Sequence, residues 1–240
     1  MCGAGLILTF SAIVPLLAAA NANRSTSLVH THAWAIVAWA VWTAAVVVGS
    51  TDMGYLALAL TGCAGVAVLG ARRPGAAAWN FVVTGLLIVL ALPLAQAAAL
   101  GTTVRPGTIV NIFLISLLAV TVINYLPTRL GGGAAALAVG CGWAFRCVVK
   151  PTPVDAGASL CIGLAPWLAW AGLSIRPTAA GHRWQSFRDR YGLIWSLRLR
   201  EQFNRAAANA GLASRFEWKG VRPPDPAADE LLTALTKRFV

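Results

Sequence analysis

The chain is short of charge, and shortest of negative charge. Of its 240 residues only 11% are Asp, Glu, Lys or Arg, while 58% are hydrophobic. Soluble globular domains carry about 25% charged residues, so the balance excludes a soluble fold. Before residue 176 there are two acidic residues, Asp52 and Asp155, and both lie between apolar runs. Proton-coupled transport needs a carboxylate at membrane depth, and divalent-metal catalysis needs carboxylates in clusters; neither arrangement is present. Histidine is scarce too. His30 and His32 point away from each other on a helix, and His182 is remote, which disfavours a joint metal site or paired haem ligation. The five cysteines, Cys2, Cys63, Cys141, Cys147 and Cys161, form no Cys-x-x-Cys pair and read as small buried apolar residues. Cys2 has no lipobox before it, so no lipid anchor is assigned. No Ser/His/Asp constellation or glycine-rich phosphate loop stands out. No catalytic residue, metal site or cofactor is therefore assigned.

What the sequence does have is long apolar runs. A bilayer core of about 30 Å takes around 20 apolar residues in a helix, the form that satisfies its own backbone groups in hydrocarbon. Seven segments approach that length: 6–20, 33–48, 54–69, 76–99, 109–126, 132–149 and 158–173. The expected fold is all-α, a polytopic transmembrane helical bundle of about seven spans over residues 1–175, followed by a short basic amphipathic cytoplasmic tail, 176–240. The first run also resembles a signal-peptide core with a small-x-small site at 20–22, but no positive charge precedes it, which favours a retained span. Pro93 is expected to kink the fourth segment. The sixth, rich in Gly and Ala and carrying Arg146, reads as a span, a re-entrant segment or a helix packed inside the bundle; its small residues favour burial in the bundle.

Short-loop Lys/Arg counts set the orientation. With the tail inside, inner loops hold Arg24, Arg72, Arg73 and Arg129, and outer loops hold Arg105, Arg146 and Lys150. The bias is small, and Arg176, Arg183, Arg188 and Arg190 just beyond the last span reinforce it. The N-terminus is expected outside and the C-terminus in the cytoplasm. High Ala, Gly and Arg usage suggests a GC-rich bacterial genome and hence an inner membrane. Basic residues confined to loops and tail follow the positive-inside pattern, so nucleic acid is not expected as a partner.

In the tail, Trp184, Phe187, Tyr191, Ile194, Phe203 and Ala206 recur at helical spacing over 182–210, with Arg188, Arg190 and Arg198 around them. Such a helix lies on anionic lipid, or docks on a partner protein or on the tail's own small core. Trp184, Phe187, Arg188, Arg190, Tyr191 and Arg198 are its candidate docking residues. A short extended segment is expected near 214–221. Asp225-Pro226 reads as the start of a final helix over 226–239, with Leu231, Leu235 and Phe239 on one stripe.

Within the apolar runs the candidate ligand or ion-pair residues are Arg146, Asn111 and Asn124. Arg146 sits either at the membrane boundary or in an ion-pair or anion site. The amides Asn80, Gln96, Asn111 and Asn124 read first as hydrogen-bonding links between helices, and Asn111 and Asn124 stand at opposite ends of one helix. The functional expectation is a non-enzymatic scaffold or assembly subunit of a membrane complex, with the bilayer and protein partners or further copies of itself around it. The alternatives are a small transporter or channel subunit, and a membrane enzyme acting on a lipid or quinone through His30, His32 or Asp52.

Overall fold

Long apolar runs with little charge fold as helices that cross the bilayer, and seven helical segments of spanning length stand among the described residues. The structure, a computed structural model, describes residues 2–72, 75–174, 182–217, 220–223 and 225–239. The first span, Gly3–Ala22, is two helices, α1 (Cys2–Ser11) and α2 (Ile13–Ala22), interrupted at Ala12. Pro15 has no N–H to give the Ser11 carbonyl, one turn back, and the break falls beside that carbonyl. The remaining spans are α3 (Val29–Val48), α4 (Thr51–Leu69), α5 (Ala76–Leu100), α6 (Thr108–Tyr125), α7 (Gly131–Val149) and α8 (Ala156–Ser174). Gly49, at φ 67°, closes α3, and Ser50 opens α4 by accepting from the Met53 amide at 3.3 Å. So short a link makes the two helices antiparallel neighbours. Helix α5 is assigned without interruption through Pro93; near that proline the Tyr55 hydroxyl of α4 donates to the Leu90 carbonyl at 2.7 Å.

The third segment, and not the sixth, forms the axis of the bundle. Helix α4 is buried over 72% of its spanning window, against 39% for α7. Its glycines let α6 come close: a Cβ on Gly65 would overlap the Thr121 side chain, and one on Gly62 would sit 3.1 Å from Leu117. The small residues of α7 serve a different contact. Gly133 and Gly140 face Ala165, Ala169 and Ile162 of α8, and Gly163 of α8 in turn faces Leu8 and Thr9 of α1. Helix α7 is thus one uninterrupted helix of 19 residues, long and apolar enough to cross. Helices α5 and α6 flank the axis and turn Phe81 and Ile109, each 84% exposed, outward.

Beyond α8 the chain forms a cap over one end of the bundle. Helix α9 (His182–Asn209) is followed by a hairpin of β1 (Arg215–Glu217) and β2 (Gly220–Arg222), antiparallel with Phe216 opposite Val221. Helix α10 (Pro226–Thr236) comes next, and Lys237–Phe239 add a 3-10 turn. Asp225 caps α10 by accepting from the Ala227 amide at 2.9 Å, with Pro226 in the first turn. The long tail helix expected over 182–210 is interrupted: Gly192 has φ 77° and ψ −171°. On the last helix the buried side chains are Ala228, Leu232 and Phe239, while Leu231 and Leu235 are half-buried. The stripe is therefore rotated slightly from the expected one.

Candidate functional site

Two features converge where the cap meets the bundle: a polar seam and an apolar cavity. The seam begins at the Gly192 interruption. A break inside a helix leaves backbone groups without partners, and burying them unpaired is costly. Asn124, 2% exposed at the end of α6, supplies them: its Oδ1 accepts from the Ile194 amide at 3.0 Å and its Nδ2 approaches the Tyr191 carbonyl at 3.5 Å. Only glycine fits there, because a Cβ on residue 192 would lie on top of the Asn124 amide. One residue further along the bundle, the Tyr125 hydroxyl donates to the Arg190 carbonyl at 3.2 Å.

Asp189 is the next link. Its side chain is 2% exposed and its two oxygens accept from the Arg129 Nε at 2.6 Å and the Arg129 backbone amide at 3.1 Å. A buried carboxylate needs a paired cation and further donors, and the α6–α7 loop provides both. On the other side, Tyr191 Oη donates to the Phe239 carbonyl at 2.6 Å, the Ser27 amide donates to the same oxygen at 3.2 Å, and Ser27 Oγ donates to the Ala71 carbonyl at 2.9 Å. Trp195 Nε1 donates to the Val68 carbonyl at 2.9 Å. Around these bonds Trp184, Phe187, Tyr191, Trp195, Phe203, Phe216 and Phe239 pack with Leu28, Val68 and Ala71 of the bundle into one apolar cluster. A tail this small is marginal as an independent core; here the bundle completes it.

On the bundle side of the seam lies a cavity of about 590 Å³, within the ~300–1,000 Å³ typical of ligand sites. Its walls are mainly Ala, Gly, Leu, Val and Pro side chains from α2, α3, α4, α6, α7 and α8, and Ser186, Asp189 and Arg190 of α9 line it on the cap side. Asn23 and His32 are among its polar lining residues. Helix α1 packs closely on α8, whereas α2, past the Ala12 break, touches α8 sparsely. Between them Trp170 and Leu173 of α8 line the cavity and are also 46% and 41% exposed. The cavity is therefore partly open and not sealed within the bundle.

The candidates read from the sequence are dispersed. Arg146 is in the last turn of α7 at the far end, 58% exposed, 3.7 Å from the Asp155 carboxylate and 5.8 Å above the Trp143 ring. Asn111, in the first turn of α6 at that same far end, donates to the Pro106 carbonyl at 3.1 Å. Asn124 is at the cap end, so these three do not share a site. Of the tail residues, Trp184, Phe187 and Tyr191 are buried in the cap's cluster, Arg188 is half-buried, and Arg190 and Arg198 are exposed. Arg190 lines the cavity, and Arg198 lies 5.2 Å over the Trp195 ring. Asn80 accepts from Trp34 Nε1 at 3.4 Å, a link between helices.

Several residues that matter at the junction were not singled out from sequence. Asp189 stands between Arg188 and Arg190 and reads as surface charge. Asn23 falls in a loop. Gly192 carries a legible signal, a glycine inside a helical pattern, but no hint of its partner. Compared with known proteins, the chain matches no family model, no curated protein and no solved structure.

Proposed function

We propose that the protein is a non-enzymatic membrane component that holds the apolar chain of a membrane lipid in the cavity beneath its cap. One observation carries this reading: a partly open cavity of about 590 Å³ with mainly apolar walls, to which Trp170 and Leu173 of α8, both exposed in part, contribute. Filling it with water would take about twenty molecules at ~30 Å³ each, and walls of Ala, Leu and Val give most of them no partner. Bilayer hydrocarbon lies beside the opening and matches the walls. The transporter alternative draws little support, since Arg146 and Asn124 stand at opposite ends of the bundle. Of the groups suggested for a lipid- or quinone-processing enzyme, His32 alone lines the cavity.

The exposed Arg190, Arg198 and Arg205 of α9 suit the cap to anionic headgroups or to a partner protein in a larger assembly. Arg24, Arg72 and Arg129 come from loops at the cap's end of the bundle, which favours a cytoplasmic cap and an external N-terminus in a bacterial inner membrane. Purification of the full chain in mild detergent, followed by native mass spectrometry, tests the lipid reading. A bound lipid is expected, and Ala134→Phe, which fills the cavity from α7, is expected to expel it while the bundle stays folded. Protein that emerges without lipid and gains no thermal stability from any lipid added back would overturn the proposal. Reporters after Asp52 and at the C-terminus should report opposite faces; the same face for both would refute the seven-span arrangement.

A further inference from the structure

We infer that the lipid held in this cavity carries an anionic phosphate head, with which Arg190 pairs. The inference rests on the lipid-holding reading above and adds the chemistry of the head. The charged residues of the wall are Asp189 and Arg190, both on α9. The Asp189 carboxylate is already engaged by Arg129, through the guanidinium at 2.6 Å and the backbone amide at 3.1 Å, and its side chain is 2% exposed. Its charge is balanced inside the protein. Arg190 differs: it lines the cavity and is exposed, and among the described residues its guanidinium has no carboxylate partner. Its one link across the seam uses the backbone carbonyl, which accepts from Tyr125 Oη at 3.2 Å. A guanidinium only donates and stays charged, so the wall is left with one unbalanced cation.

Most other polar groups of the wall are spent within the protein. The hydroxyls of Thr61, Thr121 and Ser174 donate to the carbonyls of Ala57, Leu117 and Trp170, and Trp39 Nε1 donates to the Thr9 carbonyl. Asn23 gives Nδ2 to the Ala19 carbonyl and keeps Oδ1 buried. Of what remains, Trp170 Nε1 only donates, and the hydroxyls of Thr31 and Ser186 turn either way. His32, whose Nδ1 lies 2.9 Å from the Leu28 carbonyl, offers Nε2 as an acceptor when neutral. Charge decides among these groups, and the charge is positive. Ser186 stands four residues before Arg190, one turn along the same face of α9, and adds a hydroxyl donor beside the cation. Depth agrees with charge: a lipid whose chain lies among the spans has its head at the ends of the spans, and α9 is at that end.

The test titrates the full chain in detergent with phosphatidylmethanol and phosphatidylcholine of identical acyl chains, read by native mass spectrometry. Neither head carries a hydrogen-bond donor, so net charge separates them. Phosphatidylmethanol is expected to bind about threefold to fivefold more tightly at low salt, the scale of one water-facing charge pair, and the preference should shrink as salt rises. Arg190→Gln should bring the two lipids to near equality without lowering the melting temperature. Arg198→Gln removes a charge from the same helix outside the cavity wall and should leave the preference in place. Inorganic phosphate replacing chloride at equal ionic strength should displace neither lipid; loss of phosphatidylmethanol alone would assign Arg190 to a free phosphate and overturn the inference. Equal affinity for the two lipids, or the same loss of preference in both variants, would overturn the pairing with Arg190 while leaving a lipid in the cavity. Binding of neither lipid would overturn the lipid-holding reading as well.

Discussion

Replacing Gly192 by alanine strikes two features at once. The backbone there, φ 77° and ψ −171°, lies in a region that is essentially reserved for glycine and costs other residues about 1–3 kcal/mol. The new methyl would also overlap the Asn124 amide, and overpacking of this kind costs about 1–3 kcal/mol more. Together they weaken cap docking by about 2–6 kcal/mol, at least a thirtyfold rise in the undocked population. Trypsin reads that population, because cleavage of the arginine-rich helix α9 requires it to open and the rate follows the opening equilibrium. Asn124→Ala alone strands the Ile194 amide and costs about 1–3 kcal/mol. In the double variant the overlap is gone, so its cost should fall short of the sum of the singles by about 1–3 kcal/mol, the signature of contacting residues. Cleavage of Gly192→Ala within twofold of the unmodified protein, or strict additivity in the double, would refute the account of the seam.

Two further substitutions probe the packing. Arg129→Ala leaves the Asp189 carboxylate, 2% exposed, buried without its cation; a loss of about 3–5 kcal/mol in cap docking is expected, little altered by salt because a buried pair is poorly screened. Trypsin sensitivity unchanged across the pair would show that the ion pair does not hold the cap. Gly65→Ala should lower the thermal stability of the bundle markedly through its overlap with Thr121, whereas Gly85→Ala, with open space around the added methyl, should be neutral or stabilising by up to about 1 kcal/mol. Parallel melting curves of the two variants in detergent check the contrast, and similar shifts would mean that close approach of α4 and α6 is not what Gly65 provides.

The spans were legible because length and apolarity are the property a bilayer demands, and each of the seven runs satisfied it by itself. Which span lies innermost was not, because hydropathy treats a leucine facing lipid and one facing protein alike. Leu58 of α4 is wholly buried and Ile109 of α6 is 84% exposed, yet both are simply apolar in sequence. Glycine told where helices approach but not whom: Gly133 and Gly65 carry the same signal and meet different neighbours. In the tail, the spacing of Trp184, Phe187 and Tyr191 revealed one apolar face, while its covering comes from Leu28, Val68 and Ala71, scattered over distant loops and helix ends. Asn23 and Asp189 draw their character from burial, which depends on tertiary neighbours and leaves no local pattern.

The bond from Ser27 to the Phe239 carbonyl joins residues 212 positions apart. Until the cap is in place, Leu28, Val68 and Ala71 remain uncovered apolar side chains at the end of an inserted bundle, the kind of surface that invites aggregation. Closing so wide a loop is slow for a free polymer; here the inserted helices carry Ser27 and the start of the cap to the same end beforehand. Closure of the cap thus depends on helices that the bilayer has already aligned. A chain whose helix ends are out of register meets the closing turn with a mismatched edge, and the Ser27 bond to the Phe239 carbonyl is lost with it.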